Sequence, residues 1–191
     1  SPAFNAPSLP PSLRSSTCRA SPFSAKRGRI SSAVSAVLSR LPFEITPSYV
    51  QGFLDAAIAR GVGLVAVADA EGCNEEESRG DGKIVGEIHA VTAQLFCFSH
   101  VLSDLTIAVD PGFQRRGLGR SLFEAFLSTV DEQRPHISRV ELIARESNAR
   151  ALSFYESLGF VREGELRGRI LNADGSLESD IPMARLKGGQ A

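Results

Sequence analysis

Apolar positions along the chain fall into two spacings, and these predict its elements. From Thr46-Pro47, an N-cap followed by proline at the first helical position, Tyr49, Phe53, Ala57 and Ile58 recur on one helical face up to about Arg60. Gly61 and Gly63 end that helix, and Leu64 to Ala68 is an apolar run of strand length. Glu71 to Gly82 is polar and carries Glu75-Glu76-Glu77, which reads as a solvated loop rather than a metal site. Lys83 to Thr92 and Val101 to Val109 follow as strands, while Ala93 to His100 between them is ambiguous. Leu118, Leu122, Ala125, Phe126 and Thr129 then take helical spacing from Gly117 to about Val130, so a strand passes through a glycine-rich turn into a helix. Val140 to Ala144 is extended, and Asn148 caps a helix running to about Leu158 that Gly159 ends. Two extended segments, about Phe160 to Leu171 and Ser179 to Leu186, complete the order β-β-β-α-β-α-β-β after the first helix, with no internal repeat.

Composition narrows the class. A chain of 191 residues with 42% hydrophobic and 23% charged residues has enough apolar material for one globular domain. Lys plus Arg total 21 against 22 for Asp plus Glu, so no global field holds nucleic acid or an anionic membrane, and any anion site is local. Cys18, Cys73 and Cys97 lack the paired spacing of a zinc site or disulfide framework, which points to a reduced, intracellular protein without metal. No apolar run approaches the roughly 18 residues of a membrane span.

Before Glu44 there is no acidic residue, and Arg14, Arg19, Lys26, Arg27, Arg29 and Arg40 sit among many Ser and Pro. Residues 1–43 therefore read as a transit-peptide-like segment for plastid or mitochondrion, or else as a disordered basic tail or a wrongly predicted start of a cytoplasmic protein. The first residue is Ser1 rather than Met, as expected of a fragment or processed product. Residues 44–187 are expected to form the folded domain, and 188–191 a C-terminal tail.

The segment Val109-Asp110-Pro111-Gly112-Phe113-Gln114-Arg115-Arg116-Gly117-Leu118-Gly119-Arg120 is the most informative. Glycines at 117 and 119 let backbone approach a ligand without an intervening Cβ, and the first amides of the following helix point outward with the positive end of its dipole. A diphosphate fits there, and Arg115, Arg116 and Arg120 add charge for its oxygens. A phosphate loop of the triphosphatase type needs Gly-Lys-Ser/Thr, but Gly119 is followed by Arg120-Ser121. A dinucleotide fold needs a third glycine and a parallel βαβ unit.

Gln114-Arg115-Arg116-Gly117-Leu118-Gly119 resembles the Q/R-x-x-G-x-G/A signature of the GCN5-related N-acetyltransferase (GNAT) superfamily. Asn148-Ala149 through Phe154-Tyr155 to Gly159-Phe160 resembles that family's second hallmark helix, in the right order and at about the right distance. The resemblance covers roughly Leu64 to Leu186. It implies an α/β (α+β), three-layer domain with a central, mostly antiparallel, splayed mixed sheet flanked by helices. It implies acetyl-CoA as acyl-donor co-substrate, no metal, and direct transfer to a primary amine of a small molecule, amino acid or peptide. The alternative is a non-catalytic acyl-CoA-binding sensor. A homodimer is left open.

Carried over by position, the resemblance has the amides of Arg115, Arg116, Gly117, Leu118, Gly119 and Arg120 cradle the pyrophosphate, with Gln114 in the same motif. Ile107, Ala108 and Val109 pair with the pantetheine arm, and the thioester lies where that strand splays from Val140 to Ala144. Tyr155 matches the general acid for the departing thiolate, and Asn148 a contact to cofactor or substrate. The attacking amine must be neutral, which requires a base. Asp104 and Glu87 are candidates, with Asp104 preferred. Plainer readings stand beside these: Tyr155 as a core aromatic, Asn148 as an N-cap, Asp104 as an exposed strand residue, and His89, His100 and His136 as structural. Cys97 between Phe96 and Phe98 is read as packing. Only Arg40 to Ile45 is left to supply the family's opening strand, which is therefore expected to be missing.

Overall fold

A computed structural model describes residues 18–22, 47–68 and 83–188, which divide into two compact units. The first unit takes the described residues up to Ala90 together with 106–133. Its strand β1 (Cys18–Pro22) pairs antiparallel with β2 (Gly61–Ala68), from Cys18 opposite Ala68 to Pro22 opposite Leu64. The expectation of a missing first strand is thus corrected: the opening strand comes from a Ser- and Arg-rich stretch whose composition masks a five-residue pairing. The rest of the 1–43 segment, and with it the targeting reading, lies outside the described residues.

Helix α1 (Pro47–Arg60) runs directly into β2, three residues earlier than the apolar run predicts. All of β2 but Gly63, and Ile84 to Ala90 of β3 (Lys83–Val91), are buried, as strands covered on both faces must be. β3 lies between β2 and β4 (Val101–Val109). A Cβ on Gly86 would stand 3.3 Å from the Ala108 carbonyl oxygen, 3.4 Å from Leu122 and 3.6 Å from Ala66 Cβ. A side chain there would make these neighbours give by a few tenths of an ångström. Leu122 belongs to α2 (Leu118–Gln133), whose fully buried Phe123 and Phe126 meet edge to face at 6.3 Å.

The second unit holds residues 91–105 and 134–188. The N-terminal part of β4 pairs in parallel with β5 (Arg139–Arg145) at only two positions, Val101 with Arg139 and Leu102 with Val140. On its other edge β5 pairs antiparallel along its whole length with β8 (Leu177–Leu186). Both β6 (Val161–Arg162) and β7 (Leu166–Leu171) pair antiparallel with β8, so the extended segment predicted from Phe160 to Leu171 is two strands. Helix α3 (Ala149–Glu156) is capped by Asn148, whose side chain accepts the amide of Ala151 at 3.1 Å. Gly159 closes that end with φ +86°.

The ambiguous segment is a single 3-10 turn, Phe96–Phe98. Packing does not describe it: Phe96 is 93% exposed and Cys97 is exposed, because the short turn offers no apolar partner. Among the described residues, no helix is long and apolar enough to cross a membrane.

Candidate active site

The bend between β4 and α2 is assembled by local hydrogen bonds. Asp110 fixes it at both ends: its amide donates to the Val85 carbonyl at 2.8 Å, and its carboxylate accepts the Gly112 amide at 2.8 Å. Pro111 then opens a single 3-10 turn, Pro111–Phe113. Gln114 donates from Nε2 back to the Val109 carbonyl at 3.0 Å, tying the turn to the strand end. Arg115 is left-handed at φ +61°, a conformation that costs a side-chain-bearing residue about 1–2 kcal/mol, and Gly117 follows at φ +82°.

The amides of the bend remain available. The first helical bond runs from the Ser121 amide to the Gly117 carbonyl at 3.1 Å, leaving the amides of Arg115, Arg116, Gly117, Leu118 and Gly119 without a hydrogen-bond partner among the described residues. Gly117 is exposed, and a Cβ there would meet nothing within 4 Å. At Gly119 it would meet only Val109 Cγ2, at 3.7 Å. The chain leaves that space unfilled, so the glycines answer to something other than internal packing. Arg115, Arg116 and Arg120 are exposed around it, with Arg116 over the Phe113 ring at 5.6 Å and Arg120 3.4 Å from Glu124. Unpaired amides, a helix dipole and three arginines fit a diphosphate.

In the second unit, Asp104 is exposed and left-handed, with φ +53°. Aspartate tolerates this conformation, and it interrupts the regular pleat just after the last residue of β4 that pairs with β5. From Glu141 onward the edge of β5 facing β4 has no strand partner among the described residues, and Ile143 on it is 51% exposed. Asn148 follows a pinned turn. Ser147 donates to Glu178 Oε1 through its amide at 3.0 Å and its hydroxyl at 2.5 Å, while Arg145 reaches Glu178 Oε2 and Asn172, each at 2.9 Å. Those hydrogen bonds, Ser147 first, hold the Glu178 carboxyl below the usual carboxylate range.

Tyr155 is half-buried on α3, its ring 5.5 Å from Phe154 and 6.2 Å from Phe160. Burial pushes its phenol above the ordinary tyrosine value, so it stays protonated throughout the neutral range. Of the predicted residues, Ile107, Ala108, Val109 and Gln114 to Arg120 lie together on one strand-turn-helix passage of the first unit, and Asp104, Asn148 and Tyr155 belong to the second. The sequence offered Glu87 as the second candidate base and His89 as structural, without joining the two, although a spacing of two on a strand puts both on one face. Among the described residues, no cluster of three or more His, Cys, Asp or Glu is arranged to hold a metal.

The fold and the bend together define an α/β chain with mostly antiparallel strands and a helix start whose first amides are unpaired among the described residues. A family model, that of the acetyltransferase (GNAT) domain, matches residues 62–162, and the chain belongs to this GNAT family. The [Ribosomal protein bS18]-alanine N-acetyltransferase of Escherichia coli K12 is 37% identical over 93 residues, covering 47% of this chain and 61% of that protein. The chain thus spans about three fifths of that relative's length. The L-amino acid N-acetyltransferase AaaT of the same organism is 30% identical over 121 residues, covering 63% of this chain and 73% of that one. A GNAT-family acetyltransferase from Streptococcus pneumoniae superposes with a TM-score of 0.70 at 20% identity, covering 89% of this chain and 98% of that chain. The E. coli ribosomal-protein-S18-alanine N-acetyltransferase structure gives 0.60 at 24%, covering 88% and 93%. Both structural likenesses concern the fold.

Proposed function

We propose that the protein transfers the acetyl group of acetyl-CoA directly to a primary amine. The observation that carries this is the bend at 115–119, exposed from Arg115 to Gly117, whose five amides have no partner among the described residues. These amides, with Arg120, would hold the pyrophosphate, and Gln114 holds the bend to the strand. Ile107 to Val109 would pair with the pantetheine arm, Asn148 would contact cofactor or substrate, and the Tyr155 hydroxyl would return a proton to the departing thiolate. A thiol of pKa about 8.5 leaves readily, so Tyr155 assists rather than decides the rate. For the acceptor's proton, Asp104 and Glu87 are the two carboxylates proposed.

The names of the relatives support two acceptor classes, an alanine of a ribosomal protein and an L-amino acid. Incubating the full chain with acetyl-CoA and a panel of both tests the reading, with free thiol and acetylated product as the measurement. Product from either class is expected. Coenzyme binding without turnover of any amine would mark a sensor, and no binding at all would remove the reading.

A further inference from the structure

Glu87 is 1% exposed and His89 is 7% exposed, and Glu87 Oε2 lies 3.0 Å from His89 Nδ1. Glu87 Oε1, equally buried, has no hydrogen-bond partner among the described residues. The His89 ring lies flat on Phe53 of α1, with centroids 4.5 Å apart and planes 5° from parallel. Strand alternation puts Glu87 and His89 on the face of β3 opposite Gly86, whose side is closed by Leu122 of α2. An acidic side chain there is costly for stability alone, because a buried carboxylate needs its lone pairs satisfied and an apolar residue would fill the space better. Among the described residues, no charged side chain other than His89 is an ion-pair partner of Glu87. β2 has no ionisable residue, Thr106 to Val109 of β4 has none, and α1 contributes Asp55, which is exposed and takes a bond from Gln51, and Arg60.

We propose that Glu87 is the base that takes the proton of the acceptor's ammonium group, with His89 as the positioning residue that holds it. This rests on the acetyl-transfer reading. Gly86, the preceding residue, approaches Ala108, so the Glu87 backbone stands beside the strand end assigned to the pantetheine arm. With His89 neutral and its Nδ1–H donating to Oε2, the dyad carries one negative charge. The ammonium N–H bond breaks, the proton passes to Oε1, and the pair becomes neutral. The freed amine attacks the thioester carbonyl, forming the C–N bond. The C–S bond then breaks, the amide nitrogen loses its second proton as the thiolate gains one, and the dyad's proton goes to solvent. Asp104 is the weaker candidate, since its exposed, left-handed position is accounted for by the kink it makes in β4.

The test is the pH dependence of kcat/KM in the full chain at saturating acetyl-CoA, for the unaltered protein, Glu87→Gln, Glu87→Met, His89→Gln and Asp104→Asn, with coenzyme affinity measured by calorimetry. Glu87→Gln is expected to lower kcat/KM by about 100-fold or more at pH 7 with coenzyme affinity kept. The loss should shrink as pH rises toward the amine's own pKa, where solvent removes the proton instead. His89→Gln should show a smaller loss of the same form. Glu87→Met, which fills the site with an apolar side chain, must show the same recovery if Glu87→Gln fails to fold. A folded Glu87 variant with an unaltered profile overturns the dyad alone, as does a pH-recoverable loss in Asp104→Asn and not in Glu87→Gln. Failure of the unaltered protein to take up acetyl-CoA overturns the acetyl-transfer reading as well.

Discussion

Ser147 places both its amide and its hydroxyl on one oxygen of Glu178, at 3.0 and 2.5 Å, so a residue on β8 fixes the turn that presents Asn148 and starts α3. Because the folded-state pKa of Glu178 is lowered, its stabilising contribution is complete above the ordinary glutamate range and is lost as pH falls through the lowered value. Glu178→Ala should therefore melt below the unaltered protein at pH 7, with the difference closing below about pH 4. Melting curves across pH 3 to 8 check this; a gap independent of pH would show that Glu178 acts by packing instead.

Gly119→Glu separates stability from binding. A side chain there meets only Val109 at 3.7 Å, and a carboxylate in the first turn of a helix suits its dipole, so melting should be unchanged or slightly raised. The same carboxylate repels a diphosphate and occupies its space, weakening coenzyme affinity by about 100-fold or more. Calorimetry with coenzyme A reads the second effect.

Gly86→Ala should do the reverse. Its Cβ would be driven to 3.3 Å from the Ala108 carbonyl oxygen and 3.4 Å from Leu122, forcing apart β3, β4 and α2. A destabilisation of about 1–3 kcal/mol is expected in denaturant titration. A neutral result would mean that the neighbours yield without cost.

Tyr155→Phe keeps the ring against Phe154 and Phe160 and removes only the hydroxyl. A roughly tenfold fall in kcat is expected, at the low end for a general acid because the leaving thiolate is stable. Burial raises this phenol's pKa, so its donor role persists above pH 9, and the rate ratio of the two proteins should stay flat from pH 6 to 9. A ratio that collapses within that window would assign the proton to another group.

Asn148→Ala removes the side-chain oxygen that accepts the Ala151 amide, and about 1 kcal/mol of stability should go with it. If Asn148 is only a cap, Asn148→Ser restores both melting temperature and turnover. Restored melting without restored turnover would mark a ligand contact.

Periodicity located α1, β3, β4, α2, β5 and α3 within a few residues, since each buries a helical stripe, a strand face or a continuous apolar run that the sequence records directly. The motif glycines carried the bend for the same local reason: φ +82° at Gly117 and the open space at Gly119 are properties of a few consecutive residues. β1 was illegible because five residues in an Arg- and Ser-rich stretch become a strand only through a partner more than forty residues downstream.

The order of most elements, the helix caps and the bend with its unpaired amides were set by the sequence itself, because each depends on neighbours within about a turn of chain. Only the tertiary structure decided that Glu87 lies buried against His89 with one oxygen unpartnered, that Glu178 holds Ser147, and that β5 leaves β4 after two residue pairs. Burial and long-range pairing depend on which surfaces meet, and residue spacing carries no record of that until the chain has closed.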